Sequence, residues 1–250
     1  MKKVTIFLVL VFAISFTACD SFFSESWGTA REYDTSNLDV NAGNVNDWIH
    51  LAVGNPDLAA ALVDKITQEL KNVFNPWERA ELLEAGVRLS VEASGLGTSF
   101  LTHAADILRE LDDNFDVDSL EGILVNVQDD FNSGRGIDAA NNLASMAMEC
   151  IVIDSNGVPR FDNFYTQTAN SVDVTEALIV LVLGELGDNS VEDNWNNIAL
   201  LSEGLQIRDD VLSVTSNNAS ENTIALAAYL NLISSNPQKF GDNPFTSFFD

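Results

Sequence analysis

The sequence predicts an all-α protein, a helical bundle or short helical-repeat array of about eight to nine helices, with one small hairpin near residues 151–165. Three observations predict it. Apolar residues recur at three- and four-residue spacing through most of the chain after residue 44. Asn55-Pro56 and Asn75-Pro76 each set an N-cap residue before a proline suited to the first helical position. Strand signals occur in one place only, where Ile151-Val152-Ile153 and residues 158–161 flank the turn-forming Asp154-Ser155-Asn156-Gly157.

In chain order, Lys2 and Lys3 precede a charge-free apolar run over 4–16, the arrangement of an export signal. That run is short of the ~20 residues a helix needs to cross a bilayer, so a transmembrane anchor is the weaker reading. It ends in Phe16-Thr17-Ala18-Cys19. These residues resemble the lipobox of bacterial lipoproteins, where signal peptidase II cuts before a lipid-modified cysteine; Phe16 stands where the pattern usually has Leu. The resemblance covers residues 1–19 alone. It implies a lipoprotein signal peptide over 1–18, a thioether-linked diacylglycerol on Cys19, and acylation of the new amino group. Two or more acyl chains hold a protein stably where one is marginal. The expected location is therefore the bacterial cell envelope, lipid-anchored to a membrane and facing the periplasm or the cell surface. An ordinary signal peptide cut nearby would instead leave a soluble secreted protein. Asp20 resembles an inner-membrane retention signal of some enteric bacteria.

Residues 19–43 read as a lipid-anchored tether, although Phe22, Phe23, Trp27 and Tyr33 make it richer in aromatics than a pure linker. A single helical domain follows over 44–235. Its first helix covers 45–53 and stops at Gly54. The second starts at Pro56, reaches about residue 74, and buries a stripe of Leu58, Leu62, Ile66 and Leu70. The third runs from Pro76 to about residue 93, with Leu82, Leu83, Val87 and Leu89 inward and Glu78, Glu81, Glu84 and Arg88 outward. Gly95-Leu96-Gly97 breaks it. Further helices are expected over 98–111, from Asp118 or Ser119 to near 131, and through Leu143, Met146, Ala147 and Cys150. Past the hairpin, a helix over 174–186 contains the apolar run 177–183 and reads as the central, fully buried helix. Helices over 191–212 and 220–233 complete the set, and Asn236-Pro237 ends the last. The tail 236–250 holds Phe240, Phe245, Phe248 and Phe249. It reads either as a cap on the helical stack or as an exposed docking strip, for which Phe245, Phe248 and Phe249 are the candidate residues.

The two halves echo each other. Residues 58–72 align with 174–188, and after a two-residue shift Trp77 meets Trp195, Leu82-Leu83 meets Leu200-Leu201 and Gly86 meets Gly204. A duplication spanning 58–112 and 174–234 would make Gly86 and Gly204 close helix crossings and Trp77 and Trp195 matched core anchors. Shared helical composition also produces such matches, and the 34-residue period of tetratricopeptide repeats is absent.

The formal charge is −26, and loss of Lys2 and Lys3 with the signal would take it to −28. So acidic a chain repels phosphate backbones, which argues against nucleic-acid binding. Of the chemistry-bearing residues, His50 and His103 lie on separate helices without ligand spacing, so no metal site is assigned. The stretch 112–118 alternates oxygen ligands but puts Val117 at the glycine position and Ile123 at the glutamate position of an EF-hand loop. Gly95-Leu96-Gly97-Thr98-Ser99 lacks the lysine of a phosphate loop. If Cys19 carries lipid, Cys150 has no disulfide partner and reads as a packed core residue. No nucleophile elbow is present. The expectation is a non-enzymatic envelope protein without cofactor that binds another envelope protein or serves as a structural accessory. The alternative is a small-molecule or lipid carrier with an apolar pocket between helices, accessory to an uptake system.

Overall fold

The computed structural model describes residues 38–96, 129, 131, 134–186 and 220–240. They form eight helices and one two-stranded hairpin, so the all-α class holds. The expected helices over 98–111, 118–131 and 191–212 lie outside the described residues, apart from the helical Asp129 and Phe131. So do Cys19, His103, the 112–118 stretch, Trp195, Gly204 and Phe245, Phe248 and Phe249.

The local chemistry of the first three helices is the one the sequence announces. Helix α1 (Val45–Ala52) is followed by Gly54 at φ 70°, a left-handed conformation glycine accepts without a Cβ penalty. Helix α2 (Pro56–Leu70) opens on Asn55, whose side chain accepts a hydrogen bond from the Leu58 N–H, buries Leu58, Leu62, Ile66 and Leu70 on one stripe, and stops at Leu70 rather than near the expected residue 74. Helix α3 (Pro76–Ser94) opens on Asn75, which accepts from the Trp77 N–H, and closes on Gly95 at φ 71°. Leu82, Leu83, Val87 and Leu89 are buried as expected.

Helix α4 (Gly136–Met148) ends two residues before Cys150, which sits in the turn leading to the hairpin rather than on the helix. Strands β1 (Ile151–Ile153) and β2 (Pro159–Phe161) pair antiparallel, Ile151 opposite Phe161 and Ile153 opposite Pro159. The Asp154 carboxylate closes the turn by accepting from the Asn156 and Val158 N–H groups, and Gly157 takes φ 82°. Those same bonds, with Arg160, hold the Asp154 carboxyl below its ordinary range.

Three later elements depart from expectation. A short helix α5 (Asn163–Thr168) begins within the segment read as hairpin or loop, because Asp162 caps it, accepting from the Phe164 and Tyr165 N–H groups. Helix α6 (Ser171–Leu186) starts three residues earlier than the apolar run suggests. Asn170 and Asp173 brace that first turn reciprocally: the Asp173 N–H donates to Asn170 Oδ1, and Asn170 Nδ2 donates to Asp173 Oδ2. After α7 (Glu221–Ser235), capped by Ser220, the chain forms one more turn, α8 (Pro237–Phe240), at the start of the expected tail.

The core is shared rather than centred on one helix. Residues 177–181 of α6 are buried, but Val182 and Leu183 are only partly so and Val172 is 48% exposed. Helix α4 packs on α2, α3, α6 and α7, so it holds the centre together with α6. Gly86 lies at the crossing of α3 and α4, where a Cβ would meet the Met146 thioether, as the close-crossing reading expects. Trp77, by contrast, is 49% exposed and is no core anchor. The aromatic core lies elsewhere: the Tyr165 and Tyr229 hydroxyls meet at 3.0 Å, with the Phe161 ring 4.4 Å and 4.6 Å from the two tyrosine rings.

Candidate functional site

Among the described residues, the start of α3 carries the largest apolar side chains at the surface. A hydrophobic residue just before an N-cap usually folds onto the fourth helical residue. Phe74 occupies the first of these places, but the fourth helical residue is Arg79, turned to Glu149 at 3.8 Å. Phe74 therefore has no apolar seat on its own helix and stands 93% exposed. Asn75 holds the turn rigid through the Trp77 N–H at 3.1 Å and through Glu78 Oε1, to which its Nδ2 donates at 3.0 Å.

Trp77 and Phe164 each occupy the second helical position after a capping residue, Asn75 and Asp162 respectively. The two helix starts face one another, and the rings meet edge to face at 5.1 Å and 81°. Trp77, Glu81, Glu84 and Arg88 follow at spacings of four, three and four, so they share one face of α3.

The far end of that face is an ion cluster. Arg88 Nε and Nη2 donate to the two oxygens of Asp173 at 3.1 Å and 3.0 Å, while Asn170 Nδ2 adds a third bond at 2.7 Å. The Asp173 side chain is only 4% exposed, so this pairing compensates its desolvation. Its hydrogen bond to Asp173 strengthens the hold of Arg88 on its proton. Burial, reinforced by Asp173, pushes the Glu84 carboxyl above its ordinary value. Lys239 Nζ donates at 2.7 Å to each of the Thr166 and Gln167 carbonyls at the end of α5, and burial draws its pKa down. With both oxygens of Asp173 engaged by donors, the cluster is built to join α3, α6 and the stretch between α5 and α6.

A cleft of about 510 Å³ lies between α2 and α4, floored by Ala60, Ala61, Ala93 and Ala139. Its rim is polar. Arg135 pairs with Asp57 at one end, Asn142 Nδ2 donates to Asp64 at 2.9 Å, and Asp138 and Asn141 add to the lining. None of its lining residues comes from α6, and its polar rim differs from the apolar pocket expected between helices.

Of the other residues singled out, His50 is exposed, and among the described residues no group of three or more His, Cys, Asp or Glu is placed to hold a metal ion. Among those residues no helix is long and apolar enough to cross a membrane. Cys150 is 2% exposed, its thiol directed at the Arg79 carbonyl, and burial pushes its pKa up to about 12. It packs as the sequence suggests.

The exposed Phe74 and the partly buried Phe164 are the site residues that sequence reasoning missed. The available signal for Phe74 was an apolar residue before a cap with a charged residue at the fourth helical position. No protein-family model matches the chain, and no curated protein or solved structure is significantly similar to it.

Proposed function

We propose that this chain is a lipid-anchored bacterial envelope protein that acts by binding another protein, as an accessory without turnover of its own. Residues 1–19 support the anchor through their lipobox resemblance. The observation that carries protein binding is the corner at the start of α3, where Phe74 is 93% exposed beside a half-exposed Trp77. Aromatic side chains standing on a rigid, capped turn lose little entropy on docking and are the usual anchors of protein interfaces. The test is made in a bacterium that processes lipoproteins. Wild-type protein is expected in the detergent-rich phase of a Triton X-114 separation and Cys19→Ser in the aqueous phase; equal partition of the two removes the anchor. A photo-crosslinking amino acid at Phe74 is expected to give one discrete protein adduct that the same probe at Asp47 does not. Lipid adducts alone, or none, remove protein binding.

The second reading is a small-molecule carrier, which the alanine-floored cleft between α2 and α4 favours. Three carboxylates at its lining suit a polar ligand better than an acyl chain. Native mass spectrometry of the membrane-extracted protein decides it: a retained small molecule lost in Asp64→Leu supports the carrier, and bare protein counts against it.

A further inference from the structure

We infer that the surface from Phe74 and Trp77 along α3 to Glu84 docks a basic protein segment, one that presents an apolar or aromatic side chain flanked by lysine or arginine. This rests on the protein-binding reading above and gives the partner its chemistry.

Two observations fix that chemistry. The first is the apolar anchor: Phe74 is 93% exposed, Trp77 is 49% exposed, and the Phe164 ring braces the indole at 5.1 Å. An edge-to-face contact fixes the Trp77 ring while half of its surface stays accessible, so a partner meets a preformed surface.

The second is charge. Glu78, Glu81 and Glu84 lie on the first turns of the same helix, with Glu81 and Glu84 on the Trp77 face. Of the cations near them, Arg79 pairs with Glu149 and Arg88 with Asp173, while Lys239, held by the α5 carbonyls, keeps its charge close to Glu84. Lys71 adds one positive charge at the rim beyond the end of α2. The face is thus an aromatic anchor beside a row of carboxylates, on a chain of net charge −26. A lysine or arginine flanking the inserted side chain would meet those carboxylates, and one over the indole would gain a cation–π contact. An acidic segment, or a membrane rich in anionic lipid, would be repelled.

The probes are a short peptide alternating Lys and Leu and its counterpart with Glu in place of Lys. Each is titrated by calorimetry into the full-length protein in non-ionic detergent. The Lys peptide is expected to bind and the Glu peptide not to. Phe74→Ser with Trp77→Ser is expected to weaken binding about tenfold or more. Glu78→Gln with Glu81→Lys is expected to weaken the Lys peptide and admit the Glu peptide; Gln at 78 keeps an acceptor for the Asn75 side chain. Asp47→Asn removes one exposed carboxylate from a different helix, α1, and is expected to leave binding unchanged. Melting curves confirm that each variant is folded. Phe74→Ser alone serves if the double aromatic variant is not, because a side chain so exposed supports no core.

Loss of binding in Asp47→Asn, or none in the aromatic variants, overturns the inference, since the acidic chain then merely collects cations. A tenfold gain on deleting residues 241–250 overturns it in favour of the chain's own tail, and a dimer dissolved by Phe74→Ser does so in favour of a second copy. If the adduct at Phe74 persists undiminished in Glu78→Gln with Glu81→Lys, the protein-binding reading stands and the basic partner falls. If no adduct forms at all, the parent reading falls whatever the peptides do.

Discussion

The Tyr165 and Tyr229 hydroxyls are fully buried and face each other at 3.0 Å, each supplying what the other needs in an apolar surround. Burial pushes both phenols up in pKa, so they stay protonated and one donates to the other. Removing one hydroxyl strands its partner, and Tyr165→Phe or Tyr229→Phe is expected to cost about 1–3 kcal/mol in urea unfolding. The double variant should cost clearly less than the sum of the two; additive losses would show that the hydroxyls are not coupled. Glu92 illustrates the opposite situation, a carboxylate with an incomplete welcome. It accepts from the Gly54 N–H at 3.3 Å, yet burial pushes its pKa above the ordinary value of 4.5. The folded chain therefore binds this proton more tightly than the unfolded chain does. Its stabilising contribution is full at low pH and is lost as pH rises from 4.5 through the higher folded value. Glu92→Gln keeps the acceptor without the charge. It should melt higher than wild type at neutral pH, and the gain should vanish as pH falls toward 4.5; a pH-independent difference would contradict this.

Among the described helices, glycine marks two close crossings, and the two differ in what yields. At Gly184 on α6 an added Cβ would overlap the Ala140 methyl of α4, which has no torsion to move it aside. At Gly86 the obstacle is the Met146 thioether, the movable end of a flexible side chain. Gly184→Ala is expected to lose about 1–3 kcal/mol by forcing α4 and α6 apart. Gly86→Ala should lose less, because the Met146 thioether can turn aside and the helix propensity regained, up to ~1 kcal/mol, is then less offset by strain. Equal losses in denaturant titrations would show that Met146 is as fixed as a methyl. Helix ends were legible wherever the signal was a cap next to proline or a glycine past the end, as at Asn55-Pro56, Asn75-Pro76, Gly54 and Gly95. The start of α6 was not, because its first turn is held by Asn170 and Asp173 while the apolar run begins later. Helix α5 was obscured by the strand signals before it, although Asp162 is an ordinary cap. Periodicity does place Trp77: its indole shares the α3 face of Glu81 and Glu84, which the sequence reads as outward, and the core-anchor expectation came instead from the echo between the halves.

For the molecule as a whole, the acidic balance, the apolar spacing and the order of elements could be read from sequence, whereas the surface that distinguishes it depends on two helix starts distant in sequence. Trp77 and Phe164 meet only because α5 lies against α3. Lys239 on the α5 carbonyls and the buried Phe240 hold α8 to the same side of the body, so the chain's last described turn is part of the structure. The burial of Cys150 has a practical consequence. The sequence holds two cysteines, and Cys150 is 2% exposed with a pKa raised to about 12, so at neutral pH it offers almost no thiolate to an alkylating reagent. With Cys19 replaced by Ser, the folded protein should behave toward maleimides as if it had no thiol. A cysteine introduced at position 74 would then carry a fluorophore or spin label at that site alone, with the native Cys150 left in place.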